Sequence, residues 1–306
     1  MRLAVRLLAA VLPLLTLAGC DEMWFGDSGR FREDFHYSYP LQAGGRFSIE
    51  NTNGGIEINV WDQDTVEING TKYAPTEQML KDIKIDVSAQ PSSVSVRTVP
   101  AYHFRNGGAK YSIRVPRRVQ LDRVVSSNGG IRVYDVEGVA RLKSTNGGIR
   151  VSRVKGELDA RTTNGAIEAV NQSGDANLHT TNGGIHVDME NGTLEAGTTN
   201  GGIEARLAKG DPSKPVRLES TNGHIEVSMD APRELRASTS NSSIELRMPA
   251  AGAKVRARTS NSAIQTEFDE LSRAMTSKHS LEGTIAGGGP LIDLATSNGH
   301  IRLLRR

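Results

Sequence analysis

The chain has 306 residues, of which 37% are apolar, with 32 glycines, 14 aromatics and one cysteine. With Arg2 and Arg6 set aside as part of a leader, 35 basic residues balance 35 acidic ones, which leaves no basic stripe for nucleic-acid phosphates. A lone Cys excludes an internal disulfide framework and any zinc site built on several thiolates.

Residues 1–19 read as a signal peptide: Arg2 and Arg6 precede an apolar run, Leu7 to Leu17, broken by Pro13 and too short to span a bilayer. The run ends in Leu17-Ala18-Gly19-Cys20, which resembles the bacterial lipoprotein signal, where the Cys is lipidated and becomes the mature N-terminus. An ordinary secretory signal with an incidental Cys is the alternative. Lipidation at Cys20 implies a membrane partner and an extracytoplasmic, envelope-bound chain, since several acyl chains at ~0.8 kcal/mol per buried methylene hold where one does not. Residues 20–40 then form a lipidated tether.

Twelve of the 14 aromatics fall before residue 112, and residues 41–125 read as an aromatic-rich part with irregular, longer strand patterns: Ile83 to Val87, Val94 to Thr98 and Lys110 to Val115, with a short helix over Thr76 to Asp82. A solenoid needs caps at its ends, and this part reads as a widened, capped N-terminal end or as a partner-binding surface.

From residue 126 to 306 the sequence repeats. A Ser/Thr-Asn-Gly-x-Ile-like element is marked by Asn53, Asn128, Asn146, Asn164, Asn182, Asn200, Asn222, Asn241, Asn261 and Asn298, each with Ile three residues later. From Asn128 to Asn200 the period is 18, then 22, 19 and 20. The last gap, of 37 residues, fits two coils, one without its motif, and the first, of 75, leaves room for about four degenerate coils. Around Asn164, Leu158, Ala160 and Thr162 alternate with charged residues, and Ile167 and Ala169 flank Glu168 after the turn. That is strand periodicity with one apolar face. A second turn is marked by Gly138, Gly156, Gly174, Gly192 and Gly210. The expected fold is all-β: a single-domain parallel β-solenoid, right-handed by the usual sense of parallel crossovers. Roughly fourteen coils at ~4.8 Å give a rod of about 65 Å. The chain ends directly after its last motif, with little sequence left for a C-terminal cap.

Asn-Gly is the pair that best tolerates positive φ, and stacked Asn amides can hydrogen-bond up a column. Asn128, Asn146, Asn164, Asn182, Asn200, Asn222, Asn241 and Asn261 are therefore read as a structural ladder, with Ser144, Thr162, Thr180, Thr198, Ser220, Thr239 and Thr259 as a second polar ladder beside it. A calcium-binding nonapeptide roll needs Asp in each glycine-rich turn, and an ice-binding solenoid two flat outward Thr columns; neither pattern is present.

The outward column after Ile runs Arg132, Arg150, Glu168, His186, Glu204, Glu226, Glu245, Gln265 and Arg302. Glu204, Glu226 and Glu245 form a candidate binding stripe for a cation or a basic partner; a solvated charged face is the alternative. His224 and His300 take equivalent turn positions several coils apart in sequence order, and His179 and His186 straddle one turn without a third ligand. No nucleophile triad, phosphate loop or dinucleotide fingerprint is legible, so no catalytic residue, cofactor or metal site is expected.

The Ser/Thr-Asn-Gly-x-Ile-x-Val element resembles the bacterial putative-adhesin family of β-solenoids, also described as toastrack domains. The matching residues are Asn51-Thr52-Asn53-Gly54-Gly55-Ile56-Glu57-Ile58, the copies from Ser126 to Val227, Tyr111 to Pro116, and Thr296 to Ile301. The resemblance implies a cell-envelope solenoid with adhesion or envelope-stress signalling as its role, and brings no catalytic residues. The leading expectation is a non-catalytic, membrane-anchored binding or scaffolding protein that meets an envelope protein or glycan. A polysaccharide hydrolase or lyase, and a purely structural spacer or stress-sensing module, are the alternatives.

Overall fold

Side chains that alternate inward and outward every second residue force each repeat into two short strands, one on each side of a narrow apolar interior. The computed structural model describes residues 30–99, 106–208, 211–269 and 271–306. The leader, Cys20 and Gly210 lie outside the described residues.

The chain enters along β1 (Phe31–Pro40), forms a coil from β2 (Arg46–Asn53) and β3 (Ile56–Trp61), and doubles back along β4 (Thr65–Ala74). Helix α1 (Glu77–Asp82), capped by the Thr76 hydroxyl on the Met79 amide, leads into the hairpin of β5 (Lys84–Gln90) and β6 (Ser93–Val99). β7 (Gly108–Pro116) precedes the regular coils. These are β8 (Gln120–Asn128) with β9 (Ile131–Tyr134), β10 (Ala140–Ser144) with β11 (Ile149–Ser152), and β12 (Leu158–Arg161) with β13 (Ile167–Ser173). Next come β14 (Ala176–Thr180) with β15 (Ile185–Asn191), β16 (Leu194–Thr198) with β17 (Ile203–Leu207), and β18 (Val216–Ser220) with β19 (Ile225–Met229). β20 (Leu235–Thr239) with β21 (Ile244–Met248) and β22 (Ala253–Thr259) with β23 (Ile264–Thr266) follow. A hairpin, β24 (Ser272–Thr276) and β25 (Ser280–Ile285), comes before a final coil, β26 (Leu291–Thr296) and β27 (Ile301–Arg305).

First strands of the coils build a 14-stranded sheet B and second strands a 13-stranded sheet A. Eleven consecutive strands of each sheet run parallel, so eleven coils replace the fourteen expected, and the longer sheet spans about 62 Å at ~4.8 Å per strand. The inward Ile column from Ile56 to Ile244, together with Ile301, is buried to 1% exposure or less. Burying each such side chain contributes about 1.5–3 kcal/mol.

Chain order and spatial order part company at both ends. The coil β2–β3 lies between β6–β7 and β8–β9, and the C-terminal coil β26–β27 lies between β20–β21 and β22–β23. The 75-residue gap therefore holds one parallel level plus antiparallel strands and a helix, not four degenerate coils. The 37-residue gap holds an antiparallel hairpin rather than a coil without its motif. That hairpin, with buried Phe268, Leu271, Leu281 and Ile285, closes the end expected to lack a cap.

The tether also stops sooner than its expected boundary at residue 40. Phe31–Pro40 is the edge strand of sheet A, paired antiparallel with β4 along its whole length, because its alternate aromatics reach the core. Phe35 packs edge-on against Tyr111 at 5.4 Å, in the space that a Cβ on the intervening Gly70 would fill. The Tyr111 hydroxyl meets the Thr98 hydroxyl at 2.6 Å, and burial pushes the phenol up to about 12.

Candidate functional site

The most repeated residues are committed to the fold. Each Asn amide donates to the Asn carbonyl oxygen of the next level at 2.7–2.8 Å, in the spatial order Asn261, Asn298, Asn241, Asn222, Asn200, Asn182, Asn164, Asn146, Asn128, Asn53. In the Ser/Thr column beside it, Ser144, Thr162, Thr180 and Thr198 donate to the carbonyls of Gly129, Gly147, Gly165 and Gly183 one level away, at 2.8–3.0 Å. A turn carbonyl is the stronger need, since a buried acceptor without a donor costs more than a hydroxyl that finds another partner. Thr180→Val is accordingly expected to cost about 1–3 kcal/mol in urea unfolding, with Thr180→Ser nearly neutral. Equal losses for the two would show that the methyl, not the hydrogen bond, matters.

The acidic stripe is in register as expected, with Glu204 beside Glu226 and Glu226 beside Glu245. Its surroundings are not acidic. Arg206 reaches Glu204 at 2.7 Å, His186 reaches it at 3.2 Å, and Arg247 approaches Glu226 at 3.8 Å and hydrogen-bonds Glu245. Sequence order put Gln265 after Glu245; the inserted C-terminal coil puts Arg302 there instead, 3.6 Å from the carboxylate. Three carboxylates thus meet three arginines; the exposed pairs of Glu204 and Glu226 add about 0–1 kcal/mol each, while Glu245 is itself buried at 8% exposure. Among the described residues no group of three or more His, Cys, Asp or Glu is arranged to hold a metal ion.

The same insertion changes the histidines. His224 and His300 are two levels apart rather than several, with Ser243 between them, because the Ile225 amide bonds the Ser243 carbonyl and the Ile244 amide bonds that of His300. His224 Nδ1 lies 2.8 Å from the Ser243 hydroxyl, while His300 Nε2 accepts from Arg302 at 3.1 Å.

Two concavities mark the outer faces. A shallow depression of about 520 Å³ at the N-terminal end is rimmed by Asp34, His36, Asn69, Thr71, Lys110 and Ser112. It is internally satisfied: Thr71 donates to Asp34 at 2.7 Å, His36 meets Asn69 at 2.7 Å, and Lys110 sits over the Tyr73 ring.

The second is a groove of about 600 Å³ on sheet B, crossing β12, β14, β16, β18 and β20. Glu157, Asp159, Asp175, Glu195 and Glu234 line it against Arg217 and Arg236. Arg141, Arg161 and Glu219 pair with Glu157, Asp159 and Arg217 respectively. Asp175 accepts from the Thr193 amide at 2.8 Å, which holds its carboxyl below the ordinary range, with Lys214 adding to the effect. Glu195, Glu234 and Arg236 have no ion-pair partner among the described residues. Asn177 Oδ1 is closed off from solvent and likewise lacks a hydrogen bond.

Beside the groove the coil lengthens between Asn200 and Asn222. Arg233 is buried there, with Nη2 on the Ala208 carbonyl at 2.8 Å and its pKa pulled down by burial. Sequence reading missed Asp175, Asn177, Glu195 and Glu234. None of them lies in the 22-residue step from Asn200 to Asn222, the one break in the period nearby.

Among the described residues no helix is long and apolar enough to cross a membrane. A family model described as Toastrack DUF4097 matches residues 45–304. No curated protein matches. Among solved structures, a putative adhesin from Bacteroides fragilis NCTC 9343 is 10% identical with a TM-score of 0.39, covering 89% of this chain and 97% of its own. A putative cell adhesion protein from Clostridium sporogenes ATCC 15579 is 8% identical with a TM-score of 0.22, covering 90% of this chain and 100% of its own.

Proposed function

The chain belongs to the Toastrack DUF4097 family, and from that premise we propose that it is a membrane-anchored, cell-envelope lipoprotein acting as a non-catalytic, adhesin-like binding or scaffolding rod. One observation carries the reading. Residues that repeat are committed to the fold, as the buried Ile column and the hydrogen-bonded Asn ladder along the turns, while the other outward positions vary freely over two sheets of 13 and 14 strands. Such a body offers a long, rigid, chemically varied surface, which suits the recognition of another envelope protein or a glycan. Leu17-Ala18-Gly19-Cys20 supports the anchor and an extracytoplasmic location.

The full chain expressed in a bacterial host with radiolabelled palmitate is expected to take up label, and Cys20→Ser to take up none. Pull-down from envelope extract is expected to capture a partner with the wild type. Capture should survive Glu204→Gln/Glu226→Gln/Glu245→Gln, because the arginines already neutralise that stripe. Absence of capture by either protein would sink the binding reading.

A polysaccharide hydrolase or lyase has one observation in its favour: acids and arginines share the sheet B groove. Release of new reducing ends from envelope glycan by the purified chain would replace the non-catalytic reading with this one.

A further inference from the structure

We propose that β1 is the seam of a head-to-head dimer, in which two copies of this chain pair their first strands antiparallel, with Asp34 of each copy opposite His36 of the other. This goes beyond the binding function proposed above and stands without it. Among the described residues β1 is the end strand of sheet A, paired with β4 on one side and exposed at Asp34, His36 and Ser38. The opposite edge of sheet A is closed: β23 is three residues long, and its Ile264 amide is taken by the Lys278 carbonyl in the turn of the C-terminal hairpin.

The backbone of β1 has a definite phase. The Leu41 amide donates to the Asp64 carbonyl at 3.0 Å, in continuation of the β1–β4 register, so the odd-numbered residues of β1 exchange hydrogen bonds with β4. The N–H and C=O groups of the even-numbered residues therefore point to the open side. Pro40 belongs to that even set, and its missing N–H costs the sheet no hydrogen bond, which is where an edge strand tolerates proline. Such a row of open N–H and C=O groups is a template for another strand.

A second copy matches this edge in one register. Two edges of this phase meet by opposing even residues to even residues. With a two-fold axis through Phe35, Asp34 of each copy faces His36 of the other, carboxylate against imidazole, and each facing pair exchanges both backbone hydrogen bonds. Ser38 then faces Arg32. Sliding by two residues one way opposes the two Asp34 carboxylates, which cross-strand pairing penalises. Sliding the other way opposes the two His36 rings and sets Pro40, which has no N–H to give, against Arg32. On the core-facing side the same axis brings Phe31, which is 37% exposed, against Tyr39, and Phe35 against its own copy. The aromatic row of Phe35, Tyr37 and Tyr39, with centroids 5.8 and 6.4 Å apart, then continues across the seam.

The test is sedimentation equilibrium of the full chain in density-matched detergent, which weighs the protein and not the micelle. A two-chain mass is expected, with Kd below about 100 μM. His36→Asp opposes two carboxylates at both places and should weaken the dimer about tenfold or more. Asp34→His/His36→Asp restores carboxylate against imidazole and should recover dimerisation to within about threefold of the wild type. A merely structural role for His36 would leave the swap as impaired as the single change. A second measurement fixes the register: Asp34→Cys and His36→Cys chains, mixed and oxidised, should form a disulfide with each other faster than either does alone, because facing Cα atoms of a hydrogen-bonded pair lie about 5.5 Å apart. A one-chain mass at about 100 μM, a dimer indifferent to His36→Asp, or a mixed disulfide no faster than those of the separate chains overturns the proposal.

Discussion

Truncation after Gly289, which removes β26 and β27, is expected to lower the melting temperature by roughly 12–24 °C, or to leave no folded protein at all. In a solenoid wound in chain order, losing the last coil merely shortens the rod. Here the lost coil is clamped on both sides: β26 pairs with β20 and β22, and β27 with β21 and β23. Ile292, Leu294, Ile301 and Leu303 are all fully buried. At about 1.5–3 kcal/mol each they contribute about 6–12 kcal/mol, against a total stability of about 5–15 kcal/mol for a typical domain. Asn298 goes with them, breaking the amide ladder between Asn241 and Asn261. The level β22–β23 and its hairpin cap would then face a gap. A circular-dichroism melt within a few degrees of the intact chain would show that the clamp carries little of the stability.

Gly183→Ala is expected to cost about 3 kcal/mol, the upper end for overpacking, in urea unfolding followed by circular dichroism. A Cβ there would stand 1.9 Å from the Gly165 carbonyl oxygen, and the obstacle is backbone that repeats at every level of the stack. Glycine is not universal at the position: Ser242 and Ser262 occupy it in two coils, with Gly299 between them in space. Gly44→Ala is the control. It has φ +82, but a Cβ added there would meet no atom within 4 Å, so only the left-handed backbone is strained, by about 1–2 kcal/mol. If Gly183→Ala costs no more than Gly44→Ala, stacking is not what fixes glycine in these turns.

The strand pattern, the turns and the amide ladder were legible because each rests on local chemistry: alternation, Asn-Gly and a fixed spacing. The order of the levels was not. Ser297-Asn298-Gly299-His300-Ile301 makes the same turn wherever in the stack it sits, so the motif says that a coil exists and not which neighbours it takes. From that one gap came the miscounted coils, the missing cap, the distant placing of His224 and His300, and the pairing of Glu245 with Gln265 instead of Arg302. The acceptor of the hydroxyl column was not legible for a different reason. Thr180 has two possible acceptors, and only the structure shows that the Gly165 carbonyl lies within reach. The groove residues looked like any other outward charges.

The inverted order of the end levels also decides how the molecule meets tension. A force drawing on Arg306 cannot peel the final coil away like tape, because β27 has a neighbour on each side and both seams must shear together. At the other end, β2 is paired on both sides, by β6 and β8, whereas β1 is paired on one side only, by β4. Load arriving through the N-terminus would therefore unzip β1 first, releasing about 34 Å of slack at ~3.4 Å per residue over its ten residues, and then stop against a gripped strand. The rod thus has a yielding first strand and a body whose first and last coils in chain order are each gripped on both sides.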